Sequence, residues 1–185
     1  MQIFVALLRG INVGGKNLIK MADLAACFQA LGFNAVRTYI QSGNVIFSTA
    51  ETDQSRLASR LEMALSQAFQ YEANLVLRSL EQMRQIIAQA PGGFGSQPET
   101  FRYDVIYLKE PLSATEAMQY VLTKEGVDQA FPGEGVLYFS RLISKASQSR
   151  LSRIVSSPIY QQITIRNWNT SARLLEMMQA DNTRT

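Results

Sequence analysis

The chain contains no histidine and one cysteine among its 185 residues. This excludes Ser-His and Cys-His nucleophile pairs, imidazole metal sites and, within one chain, thiolate metal sites. Cys27 lies among apolar residues at helical spacing, where a free cysteine is typically a small buried hydrophobe. We therefore expect no metal and no cofactor, and the absence of the usual nucleophiles weighs against an enzyme.

Long apolar runs are also lacking. No stretch reaches the roughly 20 apolar residues that span a bilayer, so no membrane partner is expected. The apolar segment 1–8 is broken by Arg9 and has neither a preceding basic residue nor a small-residue cleavage site, so it predicts a strand and not a signal peptide. With one cysteine and no internal disulfide, the sequence favours a cytoplasmic location.

Carboxylates are missing from one long stretch. The formal net charge is only +3, but residues 135–175 contain no Asp or Glu. The cations of that stretch are Arg141, Lys145, Arg150, Arg153, Arg166 and Arg173. The first fifty residues hold four cations and one carboxylate. These stretches indicate an anionic partner, unless the acids of residues 51–134 fold back and neutralise them.

Hydrophobic periodicity predicts an α+β protein. Before residue 90 the predicted order is β-α-β-β-α-β plus a trailing helix, at 2–8, 21–31, 35–40, 44–49, 53–69, 74–79 and 79–90. The order recurs after residue 100, with a short helix at 147–155 and a trailing helix at 170–178. Because this is the ferredoxin-like order, we expect a tandem duplication of a ferredoxin-like β-α-β-β-α-β unit, each with a trailing helix.

The expected domain organisation follows from this repeat. Residues 1–90 form an N-terminal ferredoxin-like unit and residues 100–185 a C-terminal one. Between them, 91–99 reads "PGGFGSQPE", a glycine- and proline-rich linker. We expect the two units to pack as one compact body.

Two polar loops are predicted to meet at one end of the first sheet. In such a unit the first two strands are parallel and the third lies antiparallel between them, so "RGINVGGKN" and "QSGN" converge. Glycines there allow close approach of a ligand, and successive N–H groups bind anions. The candidate ligand-binding residues are Arg9, Gly10, Asn12, Gly14, Gly15, Lys16, Asn17, Gln41, Ser42, Gly43 and Asn44.

The spacing of Gly10, Gly15 and Lys16 resembles a nucleotide-binding P-loop. That motif ends in Ser or Thr and opens a helix at the Lys. Here Asn17 follows the Lys, and the helical pattern begins only near Met21. The stretch is therefore either an anion-contacting glycine loop or a structural turn, and not a Walker motif.

A second polar segment is "RNWN". Arg166 could bind a carboxylate or phosphate bidentately, together with Asn167, Trp168 and Asn169, or it could clamp the interface between the two halves. The tryptophan is more often a core anchor than a stacking platform. Asn169 or Thr170 is the expected cap of the final helix. The sequence does not say whether this segment joins the first loop in one site.

The combination of "ALLRGINVGGKNLIKMADL", "TYIQSGNVIF" and "IRNWNTSARLL" resembles a bacterial family, the domain of unknown function 1697. The resemblance covers essentially the whole chain, with Ser171 where the family usually has an apolar residue. It implies a duplicated ferredoxin-like architecture and no particular activity.

Three functions remain open from the sequence. The first is binding of an anionic ligand, a nucleotide or a nucleic-acid phosphate, by loop 9–17 and turn 41–44. The second is a small metal-independent enzyme, with Lys16 and Arg9 stabilising negative charge and Tyr39 or Lys20 as acid or base. The third is a protein-protein interaction module.

Overall fold

The computed structural model describes residues 1–182 and confirms the α+β class, with two four-stranded antiparallel sheets. The first sheet has the strands Gln2–Leu8 (β1), Asn34–Tyr39 (β2), Asn44–Thr49 (β3) and Leu75–Ser79 (β4), in the order β2-β3-β1-β4. The second has the strands Phe101–Leu108 (β5), Asp128–Gly133 (β6), Val136–Leu142 (β7) and Ile163–Asn167 (β8), in the order β6-β7-β5-β8.

The α-helices lie at Met21–Ala30 (α1), Gln54–Phe69 (α2), Leu80–Ala88 (α3), Ala114–Met118 (α4) and Trp168–Asn182 (α5). Local sequence sets their ends. Gly32, with φ +84°, ends α1: its N–H donates to Gln29 O and the next N–H to Phe28 O, a Schellman arrangement. A capping box precedes α3, since the Ser79 and Gln82 side chains each accept from the other's backbone N–H.

The core of the first sheet lies between β1, β3 and the helices α1 and α2. Leu57, Leu61 and Leu65, four residues apart on α2, are fully buried there. Phe47 from β3 packs against Phe33 at 4.7 Å between ring centroids. This packing holds the carboxyl end of β1 and the β2–β3 turn in fixed positions.

The helix predicted at 147–155 is wrong in type. Three short 3₁₀ turns occupy this connection, at Ile143–Gln148, Leu151–Ser156 and Tyr160–Gln162. Serine hydroxyls bond locally to the backbone here: Ser149 Oγ accepts from Leu151 N–H, and Ser157 Oγ donates to Ile154 O. Such bonds compete with the α-helical pattern, which explains the difference.

The chain forms two compact units, one comprising residues 1–83 with the chain from residue 174 on, the other residues 84–173. Both boundaries fall inside helices, α3 and α5. The units therefore divide the chain differently from the predicted 1–90, 91–99 and 100–185. The segment 91–99 groups with the second unit, where Phe94 contacts Tyr103 at 4.8 Å and Trp168 at 5.2 Å between ring centroids.

Candidate functional site

The carboxyl end of β1 and the turn between β2 and β3 lie at the same end of the first sheet. Asn44 pairs with Leu7 of β1 on one side and with Tyr39 of β2 on the other. The two loops contact directly, because Asn12 Nδ2 donates to Gln41 O at 2.9 Å. The structure thus brings loop 9–17 and turn 41–44 together.

Residues 12–17 form a tight hairpin. Lys16 N–H donates to Val13 O, and Asn12 N–H to Asn17 O, both at 3.1 Å. Gly14 and Gly15 have φ of +59° and +74°, the conformation that a two-residue hairpin turn requires and glycine adopts at little cost. Since α1 begins only at Met21, the geometry is that of a hairpin tip and not of a loop opening a helix.

Asn12 holds this hairpin on the protein. Its Nδ2 donates to Ile19 O as well as to Gln41 O, both at 2.9 Å, and its Oδ1 accepts from Ile19 N–H at 2.8 Å. Its own φ is +53°, a left-handed conformation that Asn tolerates better than most residues. Ile11 and Ile19 are buried on either side of the hairpin, so the loop is anchored at both ends.

The other amides of the predicted site also bond within the protein. Asn17 Nδ2 donates to Gly10 O at 2.9 Å. Asn44, fully buried, donates from Nδ2 to Tyr39 O and to Ser42 Oγ, each at 3.0 Å. These side chains therefore shape the two loops, which leaves ligand contact to the cations and the backbone.

Gly43 joins the turn to β1. Its carbonyl accepts from Leu8 N–H at 2.8 Å, and its φ is +72°. A Cβ on Gly43 would lie 2.8 Å from Leu8 Cβ and 2.7 Å from Ile11 Cδ1. Only glycine fits this close approach of the turn to the strand.

Two lysines project from this end of the sheet. Lys16, beside the hairpin tip, and Lys20, just before α1, are exposed and form no ion pair within residues 1–182. Arg9 is half-buried, and its backbone N–H donates to Asn74 O at 2.8 Å. The result is a positively charged tip on a rigid support.

Three exposed apolar side chains lie in or directly beside the same two loops, which sequence reasoning did not anticipate. Val13, Leu18 and Ile40 are 65%, 77% and 49% exposed. Their signal in the sequence was weak, because single apolar residues in a glycine-rich loop are common and usually pack inward, as Ile11 and Ile19 do.

The segment 166–169 belongs to the second unit. Arg166 is 7% exposed; its Nη1 donates to Thr164 Oγ1 at 2.8 Å and to Ile165 O at 2.9 Å. Burial lowers the pKa of its guanidinium to about 10. Asn167 Oδ1 accepts from Asn169 N–H, so Asn167 caps α5, where Asn169 or Thr170 was the predicted cap.

Trp168 is half-buried against the segment 91–99. A Cβ on Gly95, whose φ is +85°, would lie 2.3 Å from Trp168 Nε1. The indole thus serves as a packing element in the second unit and leaves part of its surface accessible.

Carboxylates neutralise part of the basic stretches, one from within residues 51–134, as the fold-back alternative expects, and one from outside that range. Arg37 pairs with Asp181 at 2.8 Å and donates to Met177 O at 2.7 Å. Arg141 pairs with Asp104 at 3.3 Å. The positive character of residues 1–50 therefore rests on the loop end and not on Arg37.

Other chemistry finds little support. Cys27 is half-buried against the core, and burial raises the pKa of its thiol, which disfavours the reactive thiolate. Among residues 1–182 there is no cluster of three or more Cys, Asp or Glu suited to a metal ion. Nor does the described chain contain a helix long and apolar enough to cross a membrane.

The sequence that forms this fold and these loops matches a known protein family. The family model described as "Protein of unknown function (DUF1697)" matches residues 1–138, and the chain belongs to that family. The predicted family membership is thereby confirmed.

A solved structure extends the likeness over the whole fold. The conserved bacterial protein SP0830 from Streptococcus pneumoniae is 25% identical in sequence, with a TM-score of 0.81 over 96% of this chain and 98% of that one. No curated protein matches the sequence.

Proposed function

We propose that the protein binds an anionic ligand, a nucleotide or the phosphates of a nucleic acid, through loop 9–17 and turn 41–44. One observation carries the proposal: a glycine hairpin, fixed by the Asn12 bonds, holds the unpaired Lys16 in solvent. A cation on a pre-organised loop binds an anion at a smaller entropic cost than one on a mobile segment.

The roles within this site follow from exposure. Lys16 and Lys20 supply charge, as compact ammonium groups that contact phosphate oxygens. The exposed backbone of Gly14 and Gly15, which lacks a Cβ, lets a phosphate approach the hairpin closely. Arg9 adds positive potential from a half-buried position.

Binding of a fluorescently labelled single-stranded RNA of about twelve nucleotides, measured by anisotropy at several salt concentrations, tests the proposal. We expect affinity to fall with salt, with a slope in log–log form of about −0.7 for each phosphate contact. Lys16→Ala should weaken binding several-fold and reduce the slope by about one contact. Lys124→Ala is the control, since it removes the same charge from an exposed position in the second unit.

A parallel titration uses nucleotides in place of the RNA. Binding is then measured as a shift in the thermal stability of the protein. A shift with a nucleoside triphosphate, lost in Lys16→Ala, identifies a small-molecule site. Binding that ignores salt, or equal losses in Lys16→Ala and Lys124→Ala, would contradict the proposal.

A second candidate function is protein-protein interaction. The exposed Val13, Leu18 and Ile40 favour it, because burying these apolar side chains against a partner would remove their surface from water and stabilise the complex. Loss of a captured protein after Leu18→Ser, with anion binding unchanged, would select this candidate. The enzyme alternative, with Tyr39 or Lys20 as acid or base, has no specific observation in its favour.

For the architecture we propose a duplicated ferredoxin-like unit. The support is equivalent bonding in the two sheets: Leu8 N–H donates to Gly43 O, and Leu108 N–H to Gly135 O. Likewise Arg78 pairs with Val5 of β1, and Arg166 with Val105 of β5. The bacterial relative and the single cysteine support a bacterial, cytoplasmic protein.

A further inference from the structure

A cavity of ≈ 220 Å³ lies on the second sheet, in the second unit, where the segment 91–99 meets β5, β6 and β7. The aromatic rings that line it are Phe94, Phe101, Tyr103 and Phe131. An apolar cavity of about 150 Å³ already holds benzene in another protein, so one planar ring fits this space.

The cavity is pre-formed. Phe94 meets Tyr103 and Tyr138 edge to face, at 4.8 and 5.4 Å between ring centroids. Phe94 N–H donates to Pro91 O, and Phe101 N–H to Gln97 O, each at 2.9 Å. These contacts keep the wall of the cavity in place without a ligand.

Polar groups without partners converge on the same space. Gln129, Ser140 and Tyr103 are register neighbours and form one row across three strands. Ser140 is 3% exposed and Tyr103 9%, yet neither hydroxyl makes a hydrogen bond to any residue in the described range 1–182. Neither oxygen is among the buried side-chain atoms that lack a partner, so both hydroxyls are accessible from the cavity and can bond to a ligand there.

Two amides complete the lining. Gln97 and Gln129 are exposed, and their side chains form no hydrogen bond within the part of the chain that the structure describes. A carboxamide offers a donor and an acceptor side by side, the pattern that matches the edge of a base. The residues that line this cavity carry no charge.

We propose that this cavity binds a planar, uncharged heterocycle with donors and acceptors along its edge, of the nucleobase class. The aromatic rings supply stacking surface, and the amides and hydroxyls supply hydrogen bonds. A smaller adjoining cavity of ≈ 90 Å³ shares Phe101 and Tyr103 and is lined by Arg102 and Trp168. It suits the sugar or phosphate attached to such a ring, with Arg102 as the cation.

This inference does not depend on the loop end of the first sheet. The ring-binding cavity is uncharged, so nucleoside affinity should be insensitive to salt, whereas affinity at Lys16 should fall with salt. Nucleosides bound equally by the wild type and Lys16→Ala would establish the separation.

The test uses the full chain, titrated by calorimetry with the four common ribonucleosides, their monophosphates and a short single-stranded RNA. Trp168, the single tryptophan, lines the adjoining cavity and reports binding through its fluorescence. We expect at least one nucleoside to saturate the protein. A nucleoside that binds as well as the RNA identifies a free base or nucleotide. RNA binding that far exceeds nucleoside binding, persists in Lys16→Ala and is weakened in Phe131→Ala identifies nucleic acid as the source.

Three variants locate the ligand. Phe131→Ala, at a partly exposed ring, and Gln129→Ala, at an exposed amide, should each weaken binding about tenfold without harming the fold. Ser140→Ala, nearly isosteric, should weaken it several-fold. Gln119→Ala, an exposed amide elsewhere in the second unit, is the control and should have no effect. Absence of binding by every probe, or binding unchanged in all three variants, would overturn the proposal.

Discussion

At the scale of single residues, the polar side chains of loop 9–17 and turn 41–44 mainly fix the shape of those loops. The side-chain amides of Asn12, Asn17 and Asn44 donate hydrogen bonds to backbone or hydroxyl groups in or beside the same loops. Motifs rich in Gly and Asn resemble ligand sites because both uses need positive φ and short polar side chains. The distinction appears only when the hydrogen-bond partners are known.

Substitution of Asn12 tests this structural role. Asn12→Ala removes three hydrogen bonds and leaves a non-glycine residue at positive φ, so we expect a loss of about 2–4 kcal/mol in the free energy of unfolding. Asn12→Gly should lose less, because glycine adopts this φ without strain. Urea denaturation measures both.

The matched control is Gln41→Ala, since Asn12 contacts the backbone carbonyl of Gln41 and not its side chain. It should change stability by less than about 0.5 kcal/mol. Equal stability of the wild type and Asn12→Ala would mean that the hairpin does not need its anchor.

At the scale of elements, single hydrogen bonds join strands to helices. Tyr138 on β7 donates from its hydroxyl to Ile86 O on α3 at 2.7 Å. Tyr71, packed against the first core, has a buried hydroxyl with no partner in residues 1–182. The same side-chain type thus stabilises one contact and carries an uncompensated desolvation cost in another.

Paired Tyr→Phe substitutions separate these cases. Tyr138→Phe should cost about 1–2 kcal/mol, because it leaves a buried carbonyl without its donor. Tyr71→Phe should be neutral or stabilising, because it removes a buried polar group that has no bond. Chemical denaturation at neutral pH measures both, and a large loss in Tyr71→Phe would contradict this assignment.

The same tyrosines predict the alkaline behaviour. Burial raises the pKa of Tyr71 and of Tyr138 to about 12; Glu62 adds to the effect at Tyr71. Between pH ~10 and ~12 the folded state therefore holds more protons than the unfolded one, and stability falls as pH rises. Each Tyr→Phe variant should show a smaller fall in the free energy of unfolding over this pH range than the wild type, because it lacks one of the two titrating hydroxyls.

At the scale of the whole molecule, positive and negative charges are more evenly mixed in the folded chain than along the sequence. Asp104 and Arg141 lie far apart in sequence but pair at 3.3 Å across β5 and β7. Burial raises the pKa of the Asp104 carboxyl, and Arg141 and then Arg102 oppose that effect. Arg141 thus offsets part of the cost of a buried carboxylate.

Arg141→Ala should destabilise the protein by about 1–3 kcal/mol at neutral pH, since it leaves Asp104 without its partner. The variant raises the folded pKa of Asp104 further. Its deficit should therefore shrink as pH falls through the two folded-state pKa values of Asp104. It should vanish below the folded-state pKa of the wild type, which burial raises above the ordinary Asp value, because Asp104 is then protonated in both folded proteins. Denaturation at several pH values measures this.

Arg102→Ala is the control, because Arg102 is exposed and acts on Asp104 less than Arg141 does. Its effect should be small at every pH. A deficit in Arg141→Ala that does not vary with pH would show that packing, and not charge, is lost.

The sequence predicted most elements of the fold, because their signals are local. The apolar spacing of α2, the Gly32 stop and the Ser79–Gln82 box need only neighbours along the chain. The α-helix predicted at 147–155 was wrong, because serine side chains there hydrogen-bond to the local backbone and compete with the helix that the apolar spacing indicates.

The sequence by itself determined the α+β class, the family and the meeting of two loops at one sheet end, since strand order follows from the order of elements. Only the tertiary structure decided which polar groups of those loops remain available: the Asn12 amide is bonded, whereas the Lys16 ammonium is in solvent. It also brought Phe94 of the predicted linker over β5 to form one wall of a cavity. Hydrogen bonding and burial depend on residues distant in sequence, and no local pattern records them.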